Sequence, residues 1–410
     1  MARRLVLVGV PVVLCAGAAL MLLARAEEPK ESDVSVDKRL ISANTRFAFA
    51  LFRELVTEHK DKNVFISPAS VALALSMTYN GASGSTKQAM AKVLSLNGIN
   101  LEELNKASAA FLANLKGPGP GVRLEVANSL WARKDIRFKP DFIERNRRYY
   151  QAEVTSLDFA SPNAVPTINS WVSDHTGGKI KEIVKQIGPR SILFLINSVY
   201  FKGTWSERFD PSDTHMADFR LLDGFTKRVP MMFRSGRMRY LPGDGFRAVS
   251  LPYGKGRLSM YIFLPDEDSS LAAFIKKLNV ANWEKWMQNF SSVEVDLSLP
   301  RFRIEFESEL QKALTALGMG VAFDPDRADF RAMCPIPPLP NVFIASVTHK
   351  TFVEVNEEGT EATAATKVEM ALKAMPPSAI QFVVDQPFFC AIRDNKTGSV
   401  LFAGAIVEPM

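Results

Sequence analysis

The residue types that most often carry catalysis lie outside catalytic motifs in this chain of 410 residues. Its histidines are His59, His175, His215 and His349. None stands in an H-E-x-x-H sequence or at zinc-binding spacing from a cysteine. No G-x-S-x-G sequence occurs, so a triad built from Ser67, His349 and an aspartate has no supporting motif. The sequence therefore predicts no catalytic site, no metal site and no cofactor.

Positive charge is the second feature that could bind a ligand. The formal net charge is +6, and removal of residues 1–26, which hold three arginines and no acid, would lower it to +3. So small an excess does not predict nucleic-acid binding. Arg145, Arg147 and Arg148 form one basic cluster, which is either a polyanion site or, as is usual for such runs, a solvated helix face.

The first 26 residues differ from the rest of the chain. Arg3 and Arg4 precede an uncharged run, Leu5–Leu23, and the A-x-A sequence Ala24-Arg25-Ala26 follows. This pattern is typical of a secretory signal peptide, so we expect residues 1–26 to be cleaved and the protein to be extracellular, or periplasmic in a bacterium. The run could also span a bilayer, which leaves an uncleaved membrane anchor as the alternative. Residues 27–41 are expected to form a polar tail.

The remaining cysteines and the glycosylation sequons say little about function. Beyond residue 26 only Cys334 and Cys390 remain, and we expect two buried free thiols rather than a disulfide. Asn289 and Asn395 begin N-x-S/T sequons, which matter only in a host that glycosylates.

The N-terminal third of the chain predicts helices. A helix is expected from Ser42, with Asn44 as its N-cap, because apolar residues recur there at spacings of three and four. The segment Asn63–Thr86 predicts a short strand, a Ser-Pro break and a helix that is hydrophobic on all sides and therefore buried. Ser67 before Pro68 fits an N-cap followed by proline at the first helical position.

Several later segments predict strands. Arg123–Arg133 and Ser191–Trp205 read as long buried strands. Arg257–Glu267 and Val293–Phe306 alternate as half-buried strands do, and the C-terminal segment predicts a hairpin around Asp394–Gly398. Because no linker or repeat divides the chain, we expect one α+β domain over residues 42–410, with mixed β-sheets surrounded by helices.

The segment Glu357–Pro377, EEGTEATAATKVEMALKAMPP, has an unusual composition. It contains no aromatic residue, and after Gly359 its charged residues all have odd numbers. These charged residues are Glu361, Lys367, Glu369 and Lys373. As a strand, the segment would present one uncharged face. A helix with Val368, Leu372 and Met375 on one face, or an exposed loop, stays open as an alternative.

Motifs along the whole chain resemble those of the serpin family. They follow one another in the family's order from Ser42 to Pro409. The similar segments are NVFISPASVALALSMTYNGASGST, ANSLWAR, INSWVSDHTGGKI, LINSVYFKGTW, LPYGKGRLSMYIFLP, LSLPRFRIE, HKTFVEVNEEGTEATAAT and PFFCAIRDNKTGSVLFAGAIVEP. The resemblance implies the serpin fold and a monomeric inhibitor of a serine protease, without a catalytic site of its own.

By this resemblance, residues 357–380 are a reactive-centre loop. Counting from Gly359 as in the family puts the cleaved bond at Lys373–Ala374, and a lysine there suits a trypsin-like protease. After cleavage the freed arm enters a central sheet as a new strand and traps the acyl-enzyme. The implied hinge residues are Glu357, Glu358, Gly359, Thr360, Glu361, Ala362, Thr363, Ala364, Ala365 and Thr366.

The resemblance also assigns roles inside the body of the protein. It implies a polar cluster beneath the central sheet, where the strands must part, and a tryptophan, Trp205, where insertion begins. The cluster residues are Ser67, Ser70, Asn197 and His349. The alternative is a non-inhibitory serpin, such as a chaperone, a carrier or a simple protease substrate. Small uncharged hinge residues such as Ala362 and Ala364 favour inhibition, because they fit between strands.

Overall fold

The computed structural model describes residues 35–188, 191–334, 341–360 and 379–409. The predicted signal peptide and membrane anchor lie outside this part of the chain, as do the hinge residues from Glu361 to Thr366 and the Lys373–Ala374 bond. Within the described ranges, no helix is long and apolar enough to cross a membrane.

The helices of the described part enclose two large sheets. In chain order they are α1 (Lys38–Glu58), α2 (Pro68–Tyr79), α3 (Gly84–Val93), α4 (Leu101–Leu115), α5 (Pro140–Tyr150), α6 (Ala164–His175), α7 (Leu271–Lys277), α8 (Val280–Asn289) and α9 (Gln311–Leu314).

Helix α1 begins earlier than the sequence predicted. Asp37, not Asn44, is its N-cap, and the Asp37 carboxylate accepts a hydrogen bond from Arg39 N at 2.8 Å. The predicted start at Ser42 is wrong because Leu40 is already buried, so the apolar face extends one turn further. The end of the predicted polar tail is therefore helical.

Helix α2 has the burial that its sequence predicted, since every residue from Pro68 to Tyr79 is buried. Pro68 lies in the first turn, as predicted. Ser67 is the N-cap residue, as predicted, but its hydroxyl makes no capping bond and instead donates to Leu401 O at 2.9 Å. This bond ties the start of the helix to the C-terminal hairpin.

Strands occupy the predicted segments, although Val293–Phe306 falls in two strands, and the structure adds strands that the sequence did not predict. In chain order they are β1 (Val64–Ile66), β2 (Val122–Arg133), β3 (Glu153–Leu157), β4 (Leu193–Thr204), β5 (His215–Arg220), β6 (Thr226–Pro242), β7 (Phe246–Tyr253), β8 (Leu258–Pro265), β9 (Ser291–Pro300), β10 (Phe302–Glu309), β11 (Ser346–Asn356), β12 (Gly359–Thr360), β13 (Ile380–Val383), β14 (Phe388–Asp394) and β15 (Val400–Ile406).

One sheet has the order β1-β15-β14-β8-β7-β6-β9-β13, with β5 beside β6. The predicted C-terminal hairpin is confirmed as β14 and β15. The predicted half-burial of the segment containing β8 is wrong, because all residues of β8 are buried. The strand lies between β7 and β14, and Phe263 packs against Trp283 of α8, so the polar members of the alternation do not reach solvent.

The second sheet has the order β10-β11-β12-β4-β2-β3. Its edge strand β10 alternates between buried and exposed residues, as predicted. Helix α6 covers part of one face, where Ile168 and Val172 pack with Trp131 of β2 and Phe194 of β4. This sheet holds four of the residues that the sequence predicted to be functional, namely Asn197, His349, Gly359 and Thr360.

Candidate functional site

The six-stranded sheet is forked at one end. Strands β11 and β4 pair directly, in parallel, from Ser346 opposite Phe194 to Thr351 opposite Val199. Further along, the two-residue strand β12 lies between them and is antiparallel to both. The predicted hinge therefore enters the sheet between two strands that pair with each other elsewhere.

Gly359 is the first hinge residue inside the fork. Its φ is +150°, and a Cβ at this position would overlap the carbonyl oxygen of Gly203 on β4. Only glycine tolerates both this backbone conformation and so close an approach of another strand. The position therefore requires the glycine that the sequence has there.

Thr360 is the second hinge residue in the fork, and it is fully buried. Its hydroxyl and that of Tyr253 share a hydrogen bond of 2.6 Å. Burial raises the pKa of Tyr253 well above its ordinary value, so its phenol keeps its proton at neutral pH. The hinge is therefore held at Thr360 by a buried polar contact rather than by packing alone.

Trp205, predicted at the start of insertion, lies beside this contact. Its indole stacks on Tyr253 with ring centroids 4.4 Å apart, and its Nε1 donates to Asn356 O at 2.9 Å. Its backbone N donates to Glu358 O at 2.9 Å. Trp205 thus donates two hydrogen bonds to the backbone of the turn that leads from β11 into the hinge.

Glu357 precedes the fork and is almost completely buried, with 5% of its surface exposed. Its carboxylate accepts hydrogen bonds from Arg301 Nε at 2.7 Å and from Thr214 Oγ1 at 2.5 Å. Its carbonyl accepts a bond from Phe209 N at 3.0 Å. These contacts fasten the base of the hinge to the β9–β10 connection and to the segment that precedes β5. We call the contacts of Glu357 with Arg301 and Thr214 the hinge latch.

The predicted polar cluster forms a connected network further down the sheet. His349 of β11 lies opposite Asn197 of β4, and His349 Nε2 accepts a bond from Ser67 N at 3.0 Å. Ser70 Oγ donates to Asn197 Oδ1 at 2.6 Å. The structure thus brings all four predicted residues together, and the network joins the facing strands β11 and β4 to α2.

The network is not fully satisfied. Asn197 Nδ2 donates to Asn128 Oδ1 at 2.8 Å, but Asn128 Nδ2 and His349 Nδ1 are buried without a partner among the described residues. Burial lowers the pKa of His349 to about 3, so the ring is neutral and Nε2 is free to accept. The junction between β4 and β11 therefore depends on a neutral histidine.

We expect His349→Ala to lower the thermal midpoint and to promote polymerisation. The variant leaves Ser67 N buried without an acceptor, which costs about 1–3 kcal/mol.

The stability of the wild-type protein should also decrease in acid, because of His349. The unfolded chain takes up a proton near pH 6.5 that the folded protein excludes until about pH 3, so stability falls by about 1.4 kcal/mol per pH unit between these values.

The measurement is thermal unfolding of both proteins at pH 7.5 and pH 5, with size-exclusion chromatography of heated samples. His349→Ala should lose less stability than the wild type between the two pH values, because it lacks the titrating ring. Equal midpoints at pH 7.5, together with a clean monomer, would contradict the role given to His349.

The other predicted positions lie away from the fork. Arg147 and Arg148 are exposed on α5 and Arg145 is half-buried, which fits the predicted solvated helix face. Cys334 and Cys390 are buried free thiols, as expected. Within the described residues, no cluster of His, Cys, Asp and Glu could hold a metal ion.

The two sequons differ in their surroundings. Asn289 is exposed at the end of α8. Asn395 uses its side-chain nitrogen to donate to Gly256 O at 3.0 Å and to Ser259 Oγ at 2.8 Å. A glycan at Asn395 would therefore require these two bonds to break.

Sequence reasoning did not single out several residues of the site. Tyr253, Arg301 and Asn128 lie inside segments that carry the family resemblance, but nothing in those segments marks the individual residues. Thr214 lies in no recognised segment, so its contact with Glu357 could be found only from the folded chain.

Comparison with known proteins gives one consistent result. A family model described as Serpin (serine protease inhibitor) matches residues 42–409. The human leukocyte elastase inhibitor is 36% identical over 384 residues, covering 91% of this chain and 100% of the relative. Human serpin B8 is 37% identical over 380 residues, covering 90% of this chain and 99% of the relative.

Solved structures agree on the fold. Native tengpin, a thermophilic serpin, matches with a TM-score of 0.85 and 31% identity, covering 91% of this chain and 95% of tengpin. Human thyroxine-binding globulin matches with a TM-score of 0.83 and 28% identity, covering 91% of this chain and 99% of the globulin. The expected α+β serpin fold is confirmed.

The same relatives correct the prediction of location. The leukocyte elastase inhibitor, serpin B6 and serpin B8 are intracellular serpins that lack signal peptides. The prediction that the protein is secreted conflicts with these relatives and is wrong.

Proposed function

We propose that this chain, which belongs to the serpin (serine protease inhibitor) family and is not an enzyme, traps a serine protease as a suicide substrate. The protease cleaves Lys373–Ala374, and the freed arm that begins at Gly359 inserts between β4 and β11. Insertion displaces the acyl-enzyme before it can be hydrolysed. Inhibition is supported by relatives that are inhibitory serpins.

The main support for the proposal is that Gly359 and Thr360 already pair with both flanking strands, β11 and β4. These two residues already have the register and direction of a new central strand. Each further residue that enters would extend the same antiparallel ladders by separating β11 from β4. The hinge is thus the first part of the inserted strand.

The free energy of insertion has two opposing parts. Ordering each residue of the arm costs about 1–2 kcal/mol of backbone entropy. Ladder hydrogen bonds to two neighbours contribute roughly 1 kcal/mol each, and burial of alternate side chains adds to them. The backbone pairing of β4 with β11 and the side-chain bonds of His349 and Asn197 beside it must rearrange during insertion. Small residues such as Ala362 and Ala364 keep this opening narrow.

Lys373 at the cleaved bond favours a trypsin-like protease, whose specificity pocket ends in an acidic residue. The relative named as an elastase inhibitor suggests a second candidate specificity. Leu372 or Met375 would serve a chymotrypsin-like or elastase-like enzyme. The identity of the released peptide separates these possibilities.

The test mixes the purified protein with trypsin and follows the products by denaturing gel and mass spectrometry. We expect a stable covalent band near the summed masses and a C-terminal peptide that begins at Ala374. Lys373→Ala should slow trypsin trapping by at least roughly 10³-fold, since the specificity pocket loses its charged partner. Lys367→Ala is the matched control and should leave trapping unchanged.

Two outcomes would count against parts of the proposal. A covalent band with chymotrypsin or elastase but not with trypsin would indicate that the reactive bond follows a residue near Lys373, such as Leu372 or Met375, rather than Lys373 itself. Complete cleavage by all three proteases without a covalent band would leave a non-inhibitory serpin, such as a carrier, as the remaining function.

A further inference from the structure

An unassigned cleft lies between α6 and the edge strand β3, away from the fork. The cleft is shallow and open to solvent, with a volume of about 590 Å³, and α6 contributes most of its wall. Its lining residues are exposed, including both carboxylates, except for the half-buried Trp171 and the buried Trp131. Both charged residues in its lining are acidic, namely Glu153 of β3 and Asp174 of α6, and no Lys or Arg lines it. The remaining walls are two indoles, those of Trp131 and Trp171, and small polar or proline side chains of α6.

The carboxylates of the cleft have no cationic partner among the described residues. Neighbouring acids do, since Asp135 pairs with Arg133 at 2.7 Å and Asp158 pairs with Lys134 at 2.7 Å. Glu153 is nevertheless held in place, because its Oε2 accepts from Trp171 Nε1 at 2.5 Å. The cleft thus presents an oriented carboxylate whose charge is not neutralised by this part of the chain.

The indoles complete the site. The rings of Trp131 and Trp171 meet edge to face, with centroids 6.2 Å apart and an interplanar angle of 80°. His175 stacks on Trp171 with centroids 4.2 Å apart and fixes the orientation of that ring. Indole faces attract cations through their negative quadrupole, most strongly where carboxylates lie nearby.

We propose that this cleft binds an alkylammonium group, supplied either by a free amine or by a lysine side chain of a peptide. The charged nitrogen lies between Glu153 and Asp174, and the methylene chain packs against Trp171. The hydroxyls of Thr167 and Ser170, which also line the cleft, accept further N–H bonds. The negative lining excludes anions and leaves neutral analogues without their main contact.

The experiment titrates the intact protein with n-butylamine and with trilysine while tryptophan fluorescence and calorimetric heat are recorded. No protease is present, so the result does not depend on the proposed inhibition. We expect saturable binding with a Kd on the order of 1 mM, weakened by added salt. The neutral analogue 1-butanol should give no saturable signal. Stronger binding of butylamine or of trilysine identifies the source of the ammonium group.

The variant E153Q/D174N removes both charges while keeping an acceptor for Trp171, and it should weaken binding at least tenfold. E267Q/D268N makes the same charge change at exposed residues outside the cleft and should bind as the wild type does. Thermal unfolding checks that both variants are folded. The proposal is overturned if neither amine saturates at ten times the expected Kd, or if E153Q/D174N binds with wild-type affinity.

Discussion

Thr360→Arg is expected to convert the proposed inhibitor of trypsin into a substrate. Thr360 is fully buried between β11 and β4, where its hydroxyl contacts Tyr253. An arginine there would bring an unpaired charge into the fork, at a cost of several kcal/mol. Insertion should then lose the competition with hydrolysis of the acyl-enzyme, and the fraction of trypsin trapped should fall at least tenfold.

The measurement is the ratio of covalent complex to cleaved protein on a denaturing gel at several ratios of inhibitor to trypsin. Thr360→Ser is the matched control, because it keeps the hydroxyl and adds no charge. Both variants should be cleaved at Lys373 as fast as the wild type, since the bond itself is unchanged. Undiminished trapping by Thr360→Arg would mean that the arm does not insert at this point.

Glu357→Lys is expected to release the hinge before any protease acts. The substitution removes the acceptor for Arg301 and Thr214 and puts a second cation beside Arg301 in a buried site. Breaking a buried pair in this way costs roughly 3–5 kcal/mol. Because Arg301 is itself 40% exposed, solvent screens part of this interaction. We therefore expect the free energy of unfolding to fall by about 2 kcal/mol. An unlatched fork can also accept the hinge of another molecule, so polymers should accumulate on mild heating.

The measurement is the thermal midpoint together with native gel electrophoresis after incubation at a temperature below that midpoint. Glu357→Arg combined with Arg301→Glu is the control, since it restores an ion pair with the charges exchanged. This double variant should recover much of the stability and reduce polymerisation. If the single and double variants behave alike, the ion pair is not what holds the hinge.

Several elements of the fold were predictable because local patterns determine them. The all-apolar α2, the alternating β10 and the C-terminal hairpin each have a pattern that only one secondary structure fits. The errors occurred where tertiary packing decides. Helix α1 extends back to Asp37 because Leu40 packs in the core, and β8 is buried on both faces because of its central place in the sheet.

The candidate site was predictable only in part. Ser67, Ser70, Asn197 and His349 could be grouped through the family resemblance, although they are far apart in sequence. The hinge latch could not, because Glu357, Arg301 and Thr214 belong to three segments, and only the folded chain brings their charges and hydroxyls within hydrogen-bond distance. The orphaned nitrogens of Asn128 and His349 likewise depend on exact neighbours.

The sequence by itself determined the family, the composition of the arm and the identity of Lys373, because these depend on residue types and their order. Only the tertiary structure decided that Gly359 and Thr360 lie between β11 and β4. Strands β11 and β4 pair directly over part of their length, and Gly359 and Thr360 separate them at the other end. Strand pairing between distant segments is set by the whole sheet rather than by any local pattern, so no short stretch of the sequence could specify that fork.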